Sequence, residues 1–292
     1  MQQEIEAVLC DIASHPWPTD IVEARTLYDK MGPPIAPDIT TRPIEVGSVP
    51  GQILTPPCVH PGRCVLFLHG GGYTYGSLFS HGGMAAEIAR AAASETLQLD
   101  YRLAPEHPFP AALEDACAAY KWILGRGIDP KGVVLVGDSA GGGLVVATLV
   151  ALKEAGQPMP GAAVCISPWV DLEATGESYR TRQALDPMID RELATFLAGI
   201  YLHGADPKMP TASPIHADLH ELPPLLIQVG EREVLYSEAE TLAQRARDAG
   251  VDVTFEEWPG MIHVWHLYYP ILSAGRNAIT RIGDFVRAKS TK

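Results

Sequence analysis

Val133, Val134, Leu135 and Val136 run directly into Gly137-Asp138-Ser139-Ala140-Gly141, and that pentapeptide opens a helical stretch over 142–154. An apolar run without polar alternation reads as a strand covered on both faces, so this segment belongs in the interior of a sheet flanked by helices. The glycines let the turn tighten and let strand and helix pack closely, which leaves the serine hydroxyl exposed above the sheet. A glycine-rich turn with a helix-capping serine is the plainest reading. A phosphate-binding turn is another, but neither G-x-G-x-x-G nor G-x-x-x-x-G-K-[S/T] can be read here. Strand, G-x-S-x-G and helix in register favour a serine nucleophile.

The same alternation extends over most of the chain. Candidate strands lie at 44–46, 52–55, 64–68, 95–99, 132–136, 162–166, 225–229 and 251–257, with helical segments near 80–93, 110–125, 140–155, 237–249 and 273–289. Alternating β and α with continuous apolar strands predicts an α/β fold with an eight-stranded, mostly parallel, doubly wound sheet. Ahead of it, Ile5, Leu9 and Ile12 recur at helical spacing, as do Ile21, Ala24, Leu27, Tyr28 and Met31, with Thr19 or Asp20 to cap the second helix. A Pro-rich stretch, 32–37, ends this unit. Between Pro168 and about Pro214 there is no strand pattern, only helical spacing at 191–201 among aromatics and prolines. An interval this long between central strands reads as a cap. The expected organisation is one domain over 1–292, with a core of 41–168 and 214–292 and a cap of 1–40 and about 169–213.

Composition narrows the partners. With 22 Lys plus Arg against 35 Asp plus Glu, the net charge is −13, which argues against nucleic acid or an anionic membrane as a partner. Five cysteines (Cys10, Cys58, Cys64, Cys117, Cys165) form no C-x-x-C pair or Cys/His cluster. Cys58 and Cys64 are close enough in sequence to pair, but isolated thiols in a reducing compartment are the expectation. The first residues, MQQEIEAVLCDIASH, lack the basic start and long apolar run of a signal peptide. A cytoplasmic protein is expected.

His69-Gly70-Gly71-Gly72-Tyr73 follows the strand at 64–68. Successive glycines bring bare backbone N–H groups close to a ligand, which acyl transfer needs for the charge gained by the carbonyl oxygen. Gly71, Gly72 and Ala140 are the candidate oxyanion donors. With Asp100-Tyr101-Arg102-Leu103-Ala104-Pro105-Glu106, the following HPFPAALEDA and Ser167-Pro168-Trp169, these motifs resemble the hormone-sensitive-lipase-like branch of the α/β-hydrolases, bacterial esterases and lactone hydrolases above all. The resemblance covers the chain from about residue 60 onward.

That family implies a Ser–acid–His order along the chain. Among ten histidines, only His263 and His266 follow the last strand, and the Pro259-Gly260 turn before His263 matches the family's loop, leaving His266 as the fallback. The acid belongs after the strand at 225–229. Family members often carry Asp-Pro-Leu there, whereas this chain reads Gly230-Glu231-Arg232-Glu233-Val234-Leu235-Tyr236-Ser237-Glu238. Aligning the leucines puts Glu233 on the catalytic aspartate, with Glu231 and Glu238 as solvated helix-terminus charges or, for Glu238, a substitute acid. Asp100, Tyr101, Arg102, Glu106 and Asp115 read as a structural polar network, His69 as a brace for the glycine loop, and Asp138 as a backbone hydrogen-bond acceptor beside the substrate.

The resemblance implies hydrolysis of carboxylic esters, short-chain acyl esters and lactones first, through an acyl-enzyme on Ser139 and without metal or organic cofactor. Tyr73, Asp138, Tyr179, Leu185, Met188, Phe196, Tyr201 and Met209 are the candidate substrate-lining residues. An amide hydrolase (deacetylase or peptidase) is the alternative with the same triad. A ligand receptor on this scaffold is the non-enzymatic one, and such receptors typically lack the histidine. Relatives often dimerise through the last strand, here 251–257.

Overall fold

Side chains in a strand point alternately to opposite faces, and the central strands use that alternation to build two cores. Cys64, Leu66, Leu68, Val133 and Leu135 pack into one apolar cluster, and Val65, Phe67, Val134 and Val136 into the other. In the computed structural model, which describes residues 2–15, 17–18 and 20–290, these strands lie inside one eight-stranded sheet. In chain order its members are β1 (Thr40–Val46), β2 (Val49–Thr55), β3 (Cys64–Leu68), β4 (Glu95–Leu99), β5 (Val133–Asp138), β6 (Ala162–Ile166), β7 (Leu225–Gly230) and β8 (Val253–Trp258). Their spatial order is β1-β2-β4-β3-β5-β6-β7-β8. Only the β1–β2 and β2–β4 pairings are antiparallel.

The helices are α1 (Gln2–Ser14), α2 (Ile21–Met31), α3 (Gly82–Ala92), α4 (Ala111–Gly125), α5 (Ala140–Glu154), α6 (Ser178–Thr181), α7 (Arg191–Leu202), α8 (Tyr236–Asp248) and α9 (Ser273–Lys289). Residues of α4, α5 and α8 belong to the first cluster, those of α3 and α9 to the second. The sheet is therefore covered on both faces. Asp20 caps α2 by accepting from Val22 N at 2.9 Å and Glu23 N at 3.0 Å. Thr19, the other expected cap, lies outside the described residues.

Several expected boundaries shift for identifiable reasons. The strand expected at 44–46 begins at Thr40, because it pairs along its whole length with β2, yet residues 40–43 are exposed and carry no apolar signal. Gly132 ends a short 3-10 turn, Pro130–Gly132, and β5 continues to Asp138. The last strand starts two residues later than 251, since Val251 N bonds back to Ala246 O at the end of α8. The helix expected from 142 begins at Ala140, immediately after the serine. No strand interrupts the chain between β6 and β7; α6, α7 and a 3-10 turn, Pro214–His216, fill it. All five cysteines are free thiols, Cys10 and Cys58 exposed, Cys64 and Cys165 buried. Among the described residues, no helix is long and apolar enough to cross a membrane.

Candidate active site

Ser139 sits between β5 and α5 at φ 54° and ψ −122°, a conformation that strains a residue with a Cβ by about 1–3 kcal/mol. Its neighbours hold it there. Ser139 N donates to Ile166 O at 2.8 Å, and Trp169 N donates to Ser139 O at 2.9 Å. A Cβ on Gly137 would collide with Gly141 O, and one on Gly141 with Leu68 O, so the sequence can make this turn only with glycine at both places.

Three side chains expected from chain order meet at this turn. Ser139 Oγ lies 2.9 Å from His263 Nε2, and His263 Nδ1 lies 2.9 Å from Glu233 Oε2. Because the carboxylate can only accept, Nδ1 carries the proton and Nε2 is left to accept from the Ser139 hydroxyl. Glu233 is fully buried, and its Oε1 accepts from Ser167 Oγ at 2.7 Å and from Gly230 N. Ser167 Oγ also accepts from Val264 N at 3.2 Å, so this hydroxyl joins the loop of the acid to the loop of the histidine. Nothing periodic in the sequence marks Ser167 for that task; its place just after β6, in the Ser167-Pro168-Trp169 motif, was the available signal.

Burial alone would depress the His263 pKa. The hydrogen bond and charge of Glu233 outweigh it, with the Asp186 and Asp138 carboxylates adding, and hold it above the ordinary histidine value. A base that must be neutral to work is then protonated at higher pH than usual. The acidic limb of the kcat/KM profile is expected above about pH 6.5, and rates measured from pH 5 to 9 check it.

The alternatives weighed for base and acid are engaged elsewhere. His266 lies in a 3-10 turn, Trp265–Tyr268, and its Nε2 bonds Gln228 Oε1 at 2.8 Å. Burial pushes its pKa down to about 3, so it stays neutral. Glu238 is not a solvated helix-end charge: it is buried under the segment after β6 and accepts from Val170 N at 2.7 Å. Glu231 accepts from Gly260 N at 2.7 Å and steadies the turn before the histidine.

The glycine loop is held close to the serine. Gly70 N donates to Asp138 Oδ1 at 3.1 Å; Asp138 Oδ2 lies 3.2 Å from His81 Nε2, and His81 Nδ1 2.8 Å from Ser80 Oγ. A Cβ on Gly70 would strike Asp138, and one on Gly72 (φ 60°) would lie 2.6 Å from Leu197 Cδ1. Among the described residues, the Gly71 and Gly72 N–H groups make no backbone hydrogen bond. Ala140 N opens α5, where helix N–H groups lack intrahelical acceptors and the helix dipole is positive. His69 stacks on Tyr101 with ring centroids 4.2 Å apart, its Nδ1 2.8 Å from Gly70 O, and burial pushes its pKa down to about 3. Tyr101 OH donates to His69 O at 2.6 Å. Behind the loop Arg102 pairs with Asp115 at 2.7 Å, and Glu106 pairs with Arg25 of α2 at 2.8 Å.

Above Ser139 and His263 lies a cavity of about 400 Å³. Of the residues expected to line it, Met188 does so. Tyr73 and Tyr201 are buried against each other, stacked with centroids 3.7 Å apart, and fix α7 to the glycine loop instead. Tyr179 is buried with its OH 3.4 Å from Glu238 Oε2, and Asp138 is sealed beneath the serine. Leu185, Phe196 and Met209 face solvent. Phe196 falls off the inward stripe of α7, which is Leu193, Ala194 and Leu197. The other walls come from Leu9 and Ile12 of α1, Trp17, Tyr28 and Met31 of α2, Tyr75, Trp169, Leu235 and Tyr268.

One grouping of metal-ligating side chains is found among the described residues, Asp171, Glu173 and His216, within 4.8 Å of one another. Asp171 there already accepts from Glu173 N at 3.0 Å and from Thr175 N at 2.8 Å. It contributes nothing to the cavity lining.

Sheet order, the strained serine and the glycine loop define an α/β hydrolase. The family model of the alpha/beta hydrolase fold matches residues 65–267, and the chain belongs to that family. It falls in the hormone-sensitive-lipase-like branch. A solved esterase from the bacterial hormone-sensitive lipase family superposes with a TM-score of 0.96 at 47% identity, covering 99% of each chain. An acetyl-hydrolase of Streptomyces hygroscopicus is 50% identical over 251 residues, 83% of this chain and 84% of its own. An esterase of Acinetobacter venetianus is 32% identical over 255 residues, 86% of this chain and 83% of its own.

Proposed function

We propose that this α/β hydrolase is a carboxylesterase that cleaves short-chain acyl esters, lactones among them, by two-step acyl transfer at Ser139. The hydrogen-bonded run from Ser139 Oγ through His263 to Glu233, with both links at 2.9 Å, carries the reading. His263 Nε2 takes the hydroxyl proton as Oγ attacks the ester carbonyl, and Glu233 stabilises the imidazolium that forms. The developing oxyanion is met by the N–H groups of Gly71, Gly72 and Ala140. The alcohol leaves with the proton from Nε2, and water repeats the sequence on the acyl-enzyme. Each step uses the chain's own groups.

Residues 1–40 and 169–213 act as the cap in this reading, supported by the walls that α1, α2 and α7 give the cavity. Relatives named acetyl-hydrolase and esterase support a small acyl group on an ester. Unpaired thiols favour a cytoplasmic setting. The outer side of β8 has no strand partner in the sheet, so a second copy can pair there to form a homodimer. Light scattering is expected to give twice the chain mass, and a monomer would refute the pairing.

The test is a panel of esters of graded acyl length, lactones and acetyl amides, run beside fluorophosphonate labelling. Labelling at Ser139 with turnover fastest on short acyl esters is expected. Turnover on amides alone would make the protein an amidase, and an unlabelled, inert protein would remove the catalytic reading.

A further inference from the structure

α6 and the segment that follows it grip the loop carrying Glu233 at several points. Ser178 Oγ donates to Val234 O and accepts from Ser237 N at 3.0 Å. Arg182 donates to Glu231 O and lays its guanidinium 3.5 Å from the Tyr236 ring centre. Asp186 completes the grip, and it differs from the others in two ways. Its carboxylate spans two structures: Oδ1 accepts from Met188 N at 3.0 Å and Ile189 N at 3.1 Å, while Oδ2 accepts from Val234 N at 2.9 Å. It is also buried, and it acts with Glu233 and Asp138 to raise the His263 pKa.

Met188 and Ile189, with Pro187, form a wall of the cavity, and Val234 is the residue next to Glu233. One carboxylate therefore clamps a substrate-facing wall to the loop that presents the catalytic acid. We propose that Asp186 is a positioning residue of the hydrolytic site, holding the wall at 187–189 and the Glu233 loop as one body. The inference rests on His263 acting as the base. It concerns a side chain outside the motifs that define the site.

Aspartate suits the task for a chemical reason. Three N–H donors converge on its two oxygens, and a carboxylate has lone pairs for all of them. Asparagine would turn an NH2 group toward one of those donors, leaving a buried N–H unpaired. The charge has its own role. The ionisable groups acting on His263 are Glu233, Asp186 and Asp138, all anionic when ionised. Glu233 holds the proton-bearing Nδ1; Asp186 contributes charge without touching the ring.

Three variants together separate charge from geometry. Asp186→Asn removes the anion and is expected to lower the His263 titration midpoint, read by NMR, by about half a unit. Asp186→Glu keeps the anion but displaces it by one methylene. It is expected to leave the midpoint in place while slowing fluorophosphonate labelling of Ser139 about tenfold, as a sub-ångström misplacement would. Arg182→Ala loosens the same loop without touching the anion and is expected to leave the midpoint unmoved.

The proposal is overturned if Asp186→Asn and Arg182→Ala move the midpoint equally, or if Asp186→Glu labels at the native rate. Where Asp186→Asn fails to fold, the Asp186→Glu labelling rate alone decides. Neither readout needs an ester to be turned over. An inert wild type in the substrate panel would therefore count against the esterase reading and not against this one.

Discussion

Ser139→Ala is expected to lower kcat/KM on short acyl esters by about 10⁴-fold or more and to abolish fluorophosphonate labelling. What survives would come from the backbone donors at Gly71, Gly72 and Ala140, which need no serine. The fold should tolerate the change, because the lost hydroxyl makes one side-chain hydrogen bond, to His263 Nε2. Alanine keeps the strain of φ 54°. Ser139→Gly should relieve it, stabilising the protein by about 1 kcal/mol and raising Tm by about 2–4 °C. An inactive variant that melts higher than the native enzyme would show that the turn trades stability for an exposed hydroxyl. A Ser139→Ala protein retaining a tenth of native activity would mean that the nucleophile lies elsewhere.

How much of this was legible in sequence depends on where each residue gets its constraint. Strands at 64–68 and 162–166 match β3 and β6 because burial on both faces forces continuous apolar runs, which one sequence displays, whereas the expected strand at 95–99 matches β4 although Glu95, Thr96 and Gln98 interrupt its apolar residues. β1 was legible only at its end, since its stability comes from pairing with β2 and most of its side chains are exposed. Chain order picked out Ser139, Glu233 and His263, and the fold brings those three together. The cavity lining was largely illegible. Aromatic spacing locates a helix stripe without saying what that stripe meets, so Tyr73 and Tyr201 pair with each other while Tyr28, Trp17 and Tyr268 face the cavity. The tasks of Ser167 and Asp186 were hidden for a different reason. Each also binds a backbone N–H distant in sequence, Val264 for Ser167 and Val234 for Asp186, and such contacts leave no period to read.

Glu233→Gln is expected to cost about 10³–10⁴-fold in kcat/KM, and the surroundings of the carboxylate explain why an amide of the same shape fails. Gly230 N–H, beside Oε1, can only donate, so the NH2 of a glutamine cannot sit there without a buried clash of donors. The amide must turn its NH2 toward His263. That group would then donate to Nδ1, leaving the proton on Nε2, where it faces Ser139 and blocks the hydroxyl from giving up its own. Loss of the anion should also move the acidic limb of the pH profile down, since Glu233 is what holds the His263 pKa up against burial. Glu233→Asp keeps the charge but is one methylene too short to reach Nδ1 while still accepting from Ser167 and Gly230. A loss of about 10–100-fold is expected for it, with the limb staying near its native position. The pair of variants thus separates tautomer and charge from reach. A glutamine variant within tenfold of the native rate would show that another carboxylate orients the imidazole, and Asp186, whose charge also raises the His263 pKa, would be the group to test.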